Sequence, residues 1–432
     1  MRGLSAIEIT CFLYLPSLFL FFARYLSITS ITVHVFSTLA LSEFHAGLAM
    51  SAVAIGKVLV DLPAGVFASK VNPSLCLIIA SSIMTAASFI LTQITTYPAL
   101  VGSLVFFGCG MGIVQVLWQD LSIHRLSGAD TSRVPASLGG VIRVAVVLAS
   151  AASSFVFSLG LMFTIQTISA ALISVTPVVM IIRQRISRLK SADVTPTSRG
   201  SNALQTLASQ HSPGTSPRIL RIVQAGTFML SLQILRSCRT LVLPLVAKSQ
   251  NWNSEAIGFL ITTSYIFDLF CFAFAATIYK AKGFKFAAAV TTAVTAASLF
   301  LIATQNYYLL WLGGAVAGIG GGLGSGICLV IGSAIAQGSP SSSFASVWRL
   351  VIDVGELLGP LAAGALMHSM PLVFAFACVA SISVTGVAVL YGISAIDKCA
   401  TGCVEPDQTP ASPRASCVER SEPLDYNQTV IG

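Results

Sequence analysis

Apolar stretches long enough to cross a bilayer recur from one end of this chain to the other. No other feature limits its fold so sharply. A spanning helix needs about 20 predominantly apolar residues. Stretches of that kind, rich in Leu, Ala, Ile, Val, Phe and Gly, lie near 9–39, 46–68, 75–95, 98–119, 135–158 and 161–182. A second set lies near 219–247, 255–279, 286–304, 307–335, 342–367 and 371–394. They do not alternate apolar and polar residues as a barrel strand does. Of the 432 residues, 55% are hydrophobic and 9% charged, against about 25% charged in a soluble domain. Water would not tolerate so much apolar surface under so little polar cover. The reading is an all-α membrane protein with twelve transmembrane helices in two pseudo-symmetric six-helix halves. The first stretch is too long for the core of a signal peptide, and no clear cleavage site follows it, so it reads as the first span.

The segment 183–218 is dominated by Ser, Thr, Pro and Gln and reads as a flexible cytoplasmic linker. It divides an N-terminal half, 1–182, from a C-terminal half, 219–397. Residues 398–432 read as a disordered cytoplasmic tail. With the N-terminus inside, seventeen of the 24 Lys and Arg residues fall on the inner side, and Lys248 alone falls outside. The other six lie within spans. That asymmetry predicts both termini in the cytoplasm and an even number of spans. It accounts for the net charge of +8 through topology, so nucleic acid is not an expected partner. The lipid bilayer is, and the plasma membrane is the expected location. Seven cysteines (Cys11, Cys76, Cys109, Cys238, Cys271, Cys328 and Cys378) sit in apolar stretches, where Cys behaves as a small hydrophobe. No metal-ligand spacing and no nucleophile–base set is visible, so no metal, cofactor or enzymatic activity is expected. A monomer is expected. The sequon Asn427-Gln428-Thr429 lies on the inner tail and should stay unused.

The two halves repeat each other. Gly108-Cys109-Gly110-Met111-Gly112 matches Gly320-Gly321-Gly322-Leu323-Gly324 at an offset of 212. Ala46-Gly47-Leu48 matches Ile257-Gly258-Phe259 at 211, Ala136-Ser137 matches Ala345-Ser346 at 209, and Arg24 matches Arg236 at 212. Such near-equal offsets, in order, mark a duplicated unit. The glycine strings resemble a nucleotide loop only in their letters. Inside apolar spans, Gly108, Gly110, Gly112, Gly320, Gly322 and Gly324 read as helix-packing positions, and so do Gly355, Gly359 and Pro360 of the eleventh stretch.

Two parallel six-helix halves joined by a polar segment are the plan of major facilitator transporters. The segment Asp61 to Lys70, with Gly65-Val66-Phe67-Ala68-Ser69-Lys70, resembles part of that family's loop 2–3 motif, with Ser69 in place of its acidic residue. Trp348-Arg349-Leu350-Val351-Ile352-Asp353-Val354-Gly355-Glu356-Leu357-Leu358-Gly359-Pro360 resembles a segment of drug- and metabolite-transporting members. The resemblance implies helix 2 beside helix 11 and helix 5 beside helix 8 across the interface between halves. It also implies secondary active movement of a small organic solute by alternating access. Proton-coupled efflux is the preferred mode. The alternatives are a facilitative uniporter, an uptake symporter and a non-transporting sensor.

Charges inside spans cost about 2.5–3.5 kcal/mol each on lenient insertion scales, so each needs a partner or a wet cavity. Lys57 and Asp61 share a face of the second stretch. Arg349 and Asp353 share one in the eleventh, with Glu356 three residues on. Asp61 and Arg349 each lie seven residues from their inner ends, and Lys57 and Asp353 each lie eleven. Helical rise therefore levels Asp61 with Arg349 and Lys57 with Asp353. On the other seam, Arg143 and Asp268 lie about one turn apart in depth. The expectation is that Lys57, Asp61, Arg143, Asp268, Arg349 and Asp353 pair between halves and brace a cytoplasmic gate. Pairing within one helix and direct binding of substrate or protons are the alternatives. Asp353, Glu356 and Asp268 are candidate titrating groups. Arg24, Arg236 and Arg239 point to an anionic group or a carboxylate partner, with cavity lining as the other explanation. His34 reads as a satisfied or exposed histidine.

Overall fold

A computed structural model describes residues 13–70, 73–94, 96–124, 130–155, 159–192, 215–336 and 342–391. The described residues form twelve spans. In the first half, α1 is Leu15–Thr38, α2 Glu43–Lys70, α3 Pro73–Leu91, α4 Tyr97–His124, α5 Asp130–Phe155 and α6 Leu159–Ala192. In the second, α7 is Thr215–Ser249, α8 Ser254–Lys282, α9 Phe284–Ala303, α10 Tyr307–Ala336, α11 Ser342–Ser369 and α12 Leu372–Tyr391. Ten are long and apolar enough to cross a membrane, and α3 and α6 add the apolar stretches Leu75–Leu91 and Leu159–Val175. The chain is an integral multi-pass membrane protein. A bilayer offers no water to unpaired backbone groups, so helices satisfy them internally. Large apolar side chains such as Phe106, Phe270 and Phe374 are exposed on the outside of the bundle, where lipid rather than water meets them.

α1 is not one uninterrupted α-helix. It runs as Leu15–Leu26, then Ile28–Val33, then a π-helical turn at His34–Thr38. Breaks of this kind loosen a helix locally. Arg24 and Tyr25 stand on the turn just before Ser27, where the first break falls. α6 continues to Ala192 and α7 begins at Thr215, so helix extends into the segment read as linker from both sides. The expectations for 193–214, and for the tail and its sequon, lie outside the described residues.

The principal packings of one half have counterparts in the other. α1 packs on α5 and α6 as α7 packs on α11 and α12, and α2 packs on α4 as α8 packs on α10. α3 packs on α4 and α6 as α9 packs on α10 and α12. The halves join chiefly along two seams, α2 against α11 and α5 against α8.

Candidate functional site

Both seams are close-packed at the end of the bundle that carries Glu43, Phe155 and Ser254. A Cβ on Gly47 would lie 2.5 Å from the Pro360 carbonyl oxygen, and one on Gly364 would lie 2.6 Å from the Glu43 carbonyl oxygen. On the other seam, a Cβ on Gly258 would come 2.7 Å from the Ser154 Cα. Small residues let helices approach backbone to backbone, which is how membrane helices gain packing energy. Around these contacts, Ser51 Oγ donates to the Leu357 carbonyl at 2.7 Å. Phe155 stands edge-on to Phe259 at 5.7 Å, and Glu43 meets His368 at 3.3 Å on the exposed rim.

Half-way along α2 the apolar seam gives way to charge. Lys57 Nζ lies 2.6 Å from Asp353 Oδ1 and 2.6 Å from Glu356 Oε2, both on α11. The Lys57 side chain is 1% exposed, that of Asp353 0% and that of Glu356 26%, so Glu356 alone of the three faces open space. Asp353 also receives Arg349 Nε at 2.8 Å from its own helix, and Arg349 reaches Gln115 on α4. Arg24 on α1 lies 3.8 Å from Glu356. Pairing between halves and pairing within a helix therefore coexist around one carboxylate.

Asp61 does not join an ion pair. It is fully buried, and neither carboxylate oxygen has a hydrogen-bond partner. It stays within electrostatic reach of Asp353, Arg349 and Lys57. Helical rise puts Asp61 and Arg349 at one depth, but azimuth decides contact. The guanidinium of Arg349 is taken by Asp353 one turn along its own helix.

The second cluster lies on the α5–α8 seam. Arg143 Nε donates to Asp268 Oδ1 at 3.1 Å across the halves, and Arg239 Nη2 on α7 donates to Asp268 Oδ2 at 2.8 Å. Arg143 also lies over the Phe272 ring at 3.7 Å, and Arg239 over the Tyr265 ring at 4.8 Å. Arg239 Nη1 further donates to the Ala317 carbonyl at 3.0 Å. Arg236 donates to Gln233 Oε1 at 3.0 Å and to Ser325 Oγ. Tyr25 and Tyr265, edge to face at 5.5 Å, stand between the two clusters, within electrostatic reach of Arg24 and Arg239 alike.

The two interhalf pairs are symmetry mates. Gly47 against Gly364 corresponds to Gly258 against Ser154, which sets a shift of 211 for α2 to α8 and 210 for α5 to α11. The same shifts turn Lys57–Asp353 into Asp268–Arg143. The offset of 209 expected for α5 and α11 is thus corrected by one residue. The glycine strings need a larger correction. Gly108 lies against the Val53 carbonyl, as Gly318 lies against that of Ser264, so their shift is 210 rather than 212. A string with glycine at every second place matches itself after a slip of two, and only neighbours fix its register.

In that register Gly110 packs on Ala80 and Met84 of α3 as Gly320 packs on Thr295 of α9. Gly112 meets Lys57 and Gly322 meets Asp268, in each case at the backbone beneath the seam charge. Gly321 and Gly324 have a different setting. A Cβ there would strike Asp268 Oδ2 at 2.5 Å and Arg236 Cδ at 2.9 Å, so these glycines make room for charged side chains. Gly355 packs on Gln233 and Gly359 on Ser237 of α7, while Pro360 offers its carbonyl to Gly47. His34 caps the Ile28–Val33 helix through its backbone. Sequence reasoning passed over Gln115, Tyr25, Tyr265 and Ser325. Gln115 was visible as a polar side chain in an apolar span, but the other three are ordinary residue types that only packing singles out.

No protein-family profile matches the chain, and a search of curated proteins finds none similar in sequence. Solved structures do match. The nucleoside transporter NupG superposes with a TM-score of 0.64 at 14% identity, over 89% of this chain and 98% of NupG. A POT family transporter in complex with a thioalcohol-conjugated peptide gives 0.67 at 13% identity, over 88% of this chain and 94% of that one. One in complex with 5-aminolevulinic acid gives 0.66 at 12%, over 90% and 96%. The fold is that of the major facilitator transporters. At such identities the likeness establishes the major facilitator fold and leaves the solute open. Coverage runs through both halves, so the likeness takes in both seams.

Proposed function

We propose that this chain is a secondary transporter that moves a small organic solute by alternating access. The observation that carries the reading is the pair of symmetry-related ion pairs, Lys57–Asp353 and Arg143–Asp268, which tie the two halves together at mid-helix. A buried ion pair between two bodies has two stable settings. It is closed in a dry seam, or it is open with water or solute supplying the lost partners. The close-packed Glu43 end, by the distribution of basic residues, faces outward. The arrangement is then the outside-closed state of the cycle, in which the charged seams brace the outer closure from within rather than the cytoplasmic gate expected of them, and the termini lie in the cytoplasm.

Proton coupling is part of the proposal. Glu356 is the accessible member of the α2–α11 cluster, and Asp61 and Asp353 lie behind it. A proton on Asp353 or Glu356 would weaken their hold on Lys57 and favour separation of the halves. Efflux as the direction is supported by the helix 11 motif and by nothing else.

Flux of a mixed solute library into sealed proteoliposomes, with and without a proton gradient, tests the reading beside an Asp353→Asn variant. Gradient-driven flux that the folded variant loses is the expected result. Flux indifferent to the gradient would replace coupled transport with facilitated uniport.

A further inference from the structure

The charges around the centre of the molecule are not evenly matched. The accessible carboxylate, Glu356, is already held by Lys57 and Arg24, and the buried Asp268 by Arg143 and Arg239. Asp353 is held by Lys57 and Arg349, and Asp61 is fully buried. Among the described residues of the two seams, the one carboxylate that faces open space, Glu356, already has two cationic partners, which leaves none free for a cationic solute.

Arg236 is in the opposite position. Its guanidinium is half-buried in a membrane span, and its two hydrogen-bond partners, Gln233 and Ser325, are neutral. Its Nε is buried without a partner. Among the described residues, no carboxylate lies within ion-pair distance of it. It repels Arg143 and feels Asp268 only from beyond contact. An unmatched cation at this depth is costly, and such residues mark ligand paths. Gly324 makes room for the Arg236 side chain, whose Cδ a Cβ there would meet at 2.9 Å. One turn further along α7, Arg239 and Thr240 enter a small cleft whose other walls include Ile28, Leu243, Ile261 and Tyr265. Its lining is largely apolar and aromatic, with Arg239, Thr240 and Ser264 as the polar members.

We infer that the solute is an organic anion with an apolar body, its negative charge bound by Arg236 and its body directed along α7 toward the apolar side marked by Ile28 and Tyr265. The inference names the substrate class of the transport reading and rests on that reading only for the word solute, since the site can bind without transporting. A guanidinium already oriented by Gln233 and Ser325 presents a fork that suits a carboxylate. The anion would cancel part of the surplus left by three arginines around one carboxylate.

Thermal stabilisation of the purified full chain in detergent tests it. The probes are hexanoate, benzoate and indole-3-acetate, each beside its uncharged amide and the corresponding amine. At least one carboxylate is expected to raise the melting temperature where its amide and amine do not. Arg236→Gln should weaken that carboxylate by about tenfold or more, the loss typical of one charge-assisted contact, and Arg236→Lys should recover most of it. Because the partners of Arg236 are neutral, Arg236→Gln should melt without ligand near the parent temperature. The inference is overturned if no carboxylate binds, if an amine binds better, or if Arg236→Gln binds as the parent does. The same probes in proteoliposomes separate the two ideas. A carboxylate that binds but is never carried removes the transport reading and leaves the anion site. Flux of an amine or amide without carboxylate binding does the reverse.

Discussion

The α2–α11 and α5–α8 seams share one architecture and differ in their charge. Both close at the Glu43 end through small residues, and both carry one ion pair at the same symmetry-related place. In both, the N-terminal half supplies the cation, Lys57 or Arg143, and the C-terminal half supplies the carboxylate. Around Asp353 three cations, Arg24, Lys57 and Arg349, meet three carboxylates, Asp61, Asp353 and Glu356. Around Asp268 three arginines meet a single carboxylate. The pseudo-twofold therefore fixes where a charge sits and leaves its sign free. Position 57 is a lysine and its mate at 268 an aspartate, so the halves attract at mid-helix on both seams. The surplus that remains sits on one seam alone.

The largest effect should come from preventing the seams from parting. With Glu43→Cys and His368→Cys joined through disulfides by a short bis-methanethiosulfonate linker, in a chain whose other cysteines are Ser, flux should cease and return on reduction. Persistent flux in the linked protein would show that the Glu43 end need not open. Next, Asp268→Asn removes the one carboxylate of its cluster and strands Arg143 and Arg239. Uncompensated buried charge costs about 3–5 kcal/mol, so little folded protein should survive size-exclusion of the detergent extract. Asp353→Asn should be milder, because Lys57 keeps Glu356.

A smaller contrast sharpens the comparison. Lys57→Met leaves Asp353 with Arg349 alone and should approach the lower end of that range, about 3 kcal/mol. Arg143→Met leaves Asp268 with Arg239 and lightens a cluster already over-supplied with cations, so about 1 kcal/mol is expected. Chemical denaturation of the two variants side by side measures the gap. Equal losses would mean that the two seams are electrostatically alike after all. Smallest of all, Glu43→Gln breaks only the rim contact with the exposed His368. It should change stability by less than about 1 kcal/mol, within the scatter of a melting curve.

The spans, the duplication and the depth of each charge were legible in the chain itself. Apolar length and helical rise are local quantities, and twelve runs of about the right length leave little choice of fold. The same arithmetic levelled Lys57 with Asp353, which meet at 2.6 Å, and Asp61 with Arg349, which do not pair. Depth was right in both cases and only one contact followed, because a contact also needs the two side chains to point at each other. That direction depends on how α2 and α11 are rotated in their seam. The register of the glycine strings likewise awaited the carbonyls of Val53 and Ser264, since a period of two is blind to a slip of two. Composition placed Arg24, Arg236 and Arg239 in the membrane, and it could not say which of them lacks a carboxylate. Tertiary packing decided that, because Asp268 has two oxygens, Arg143 and Arg239 occupy both, and Arg236 is left with neutral neighbours.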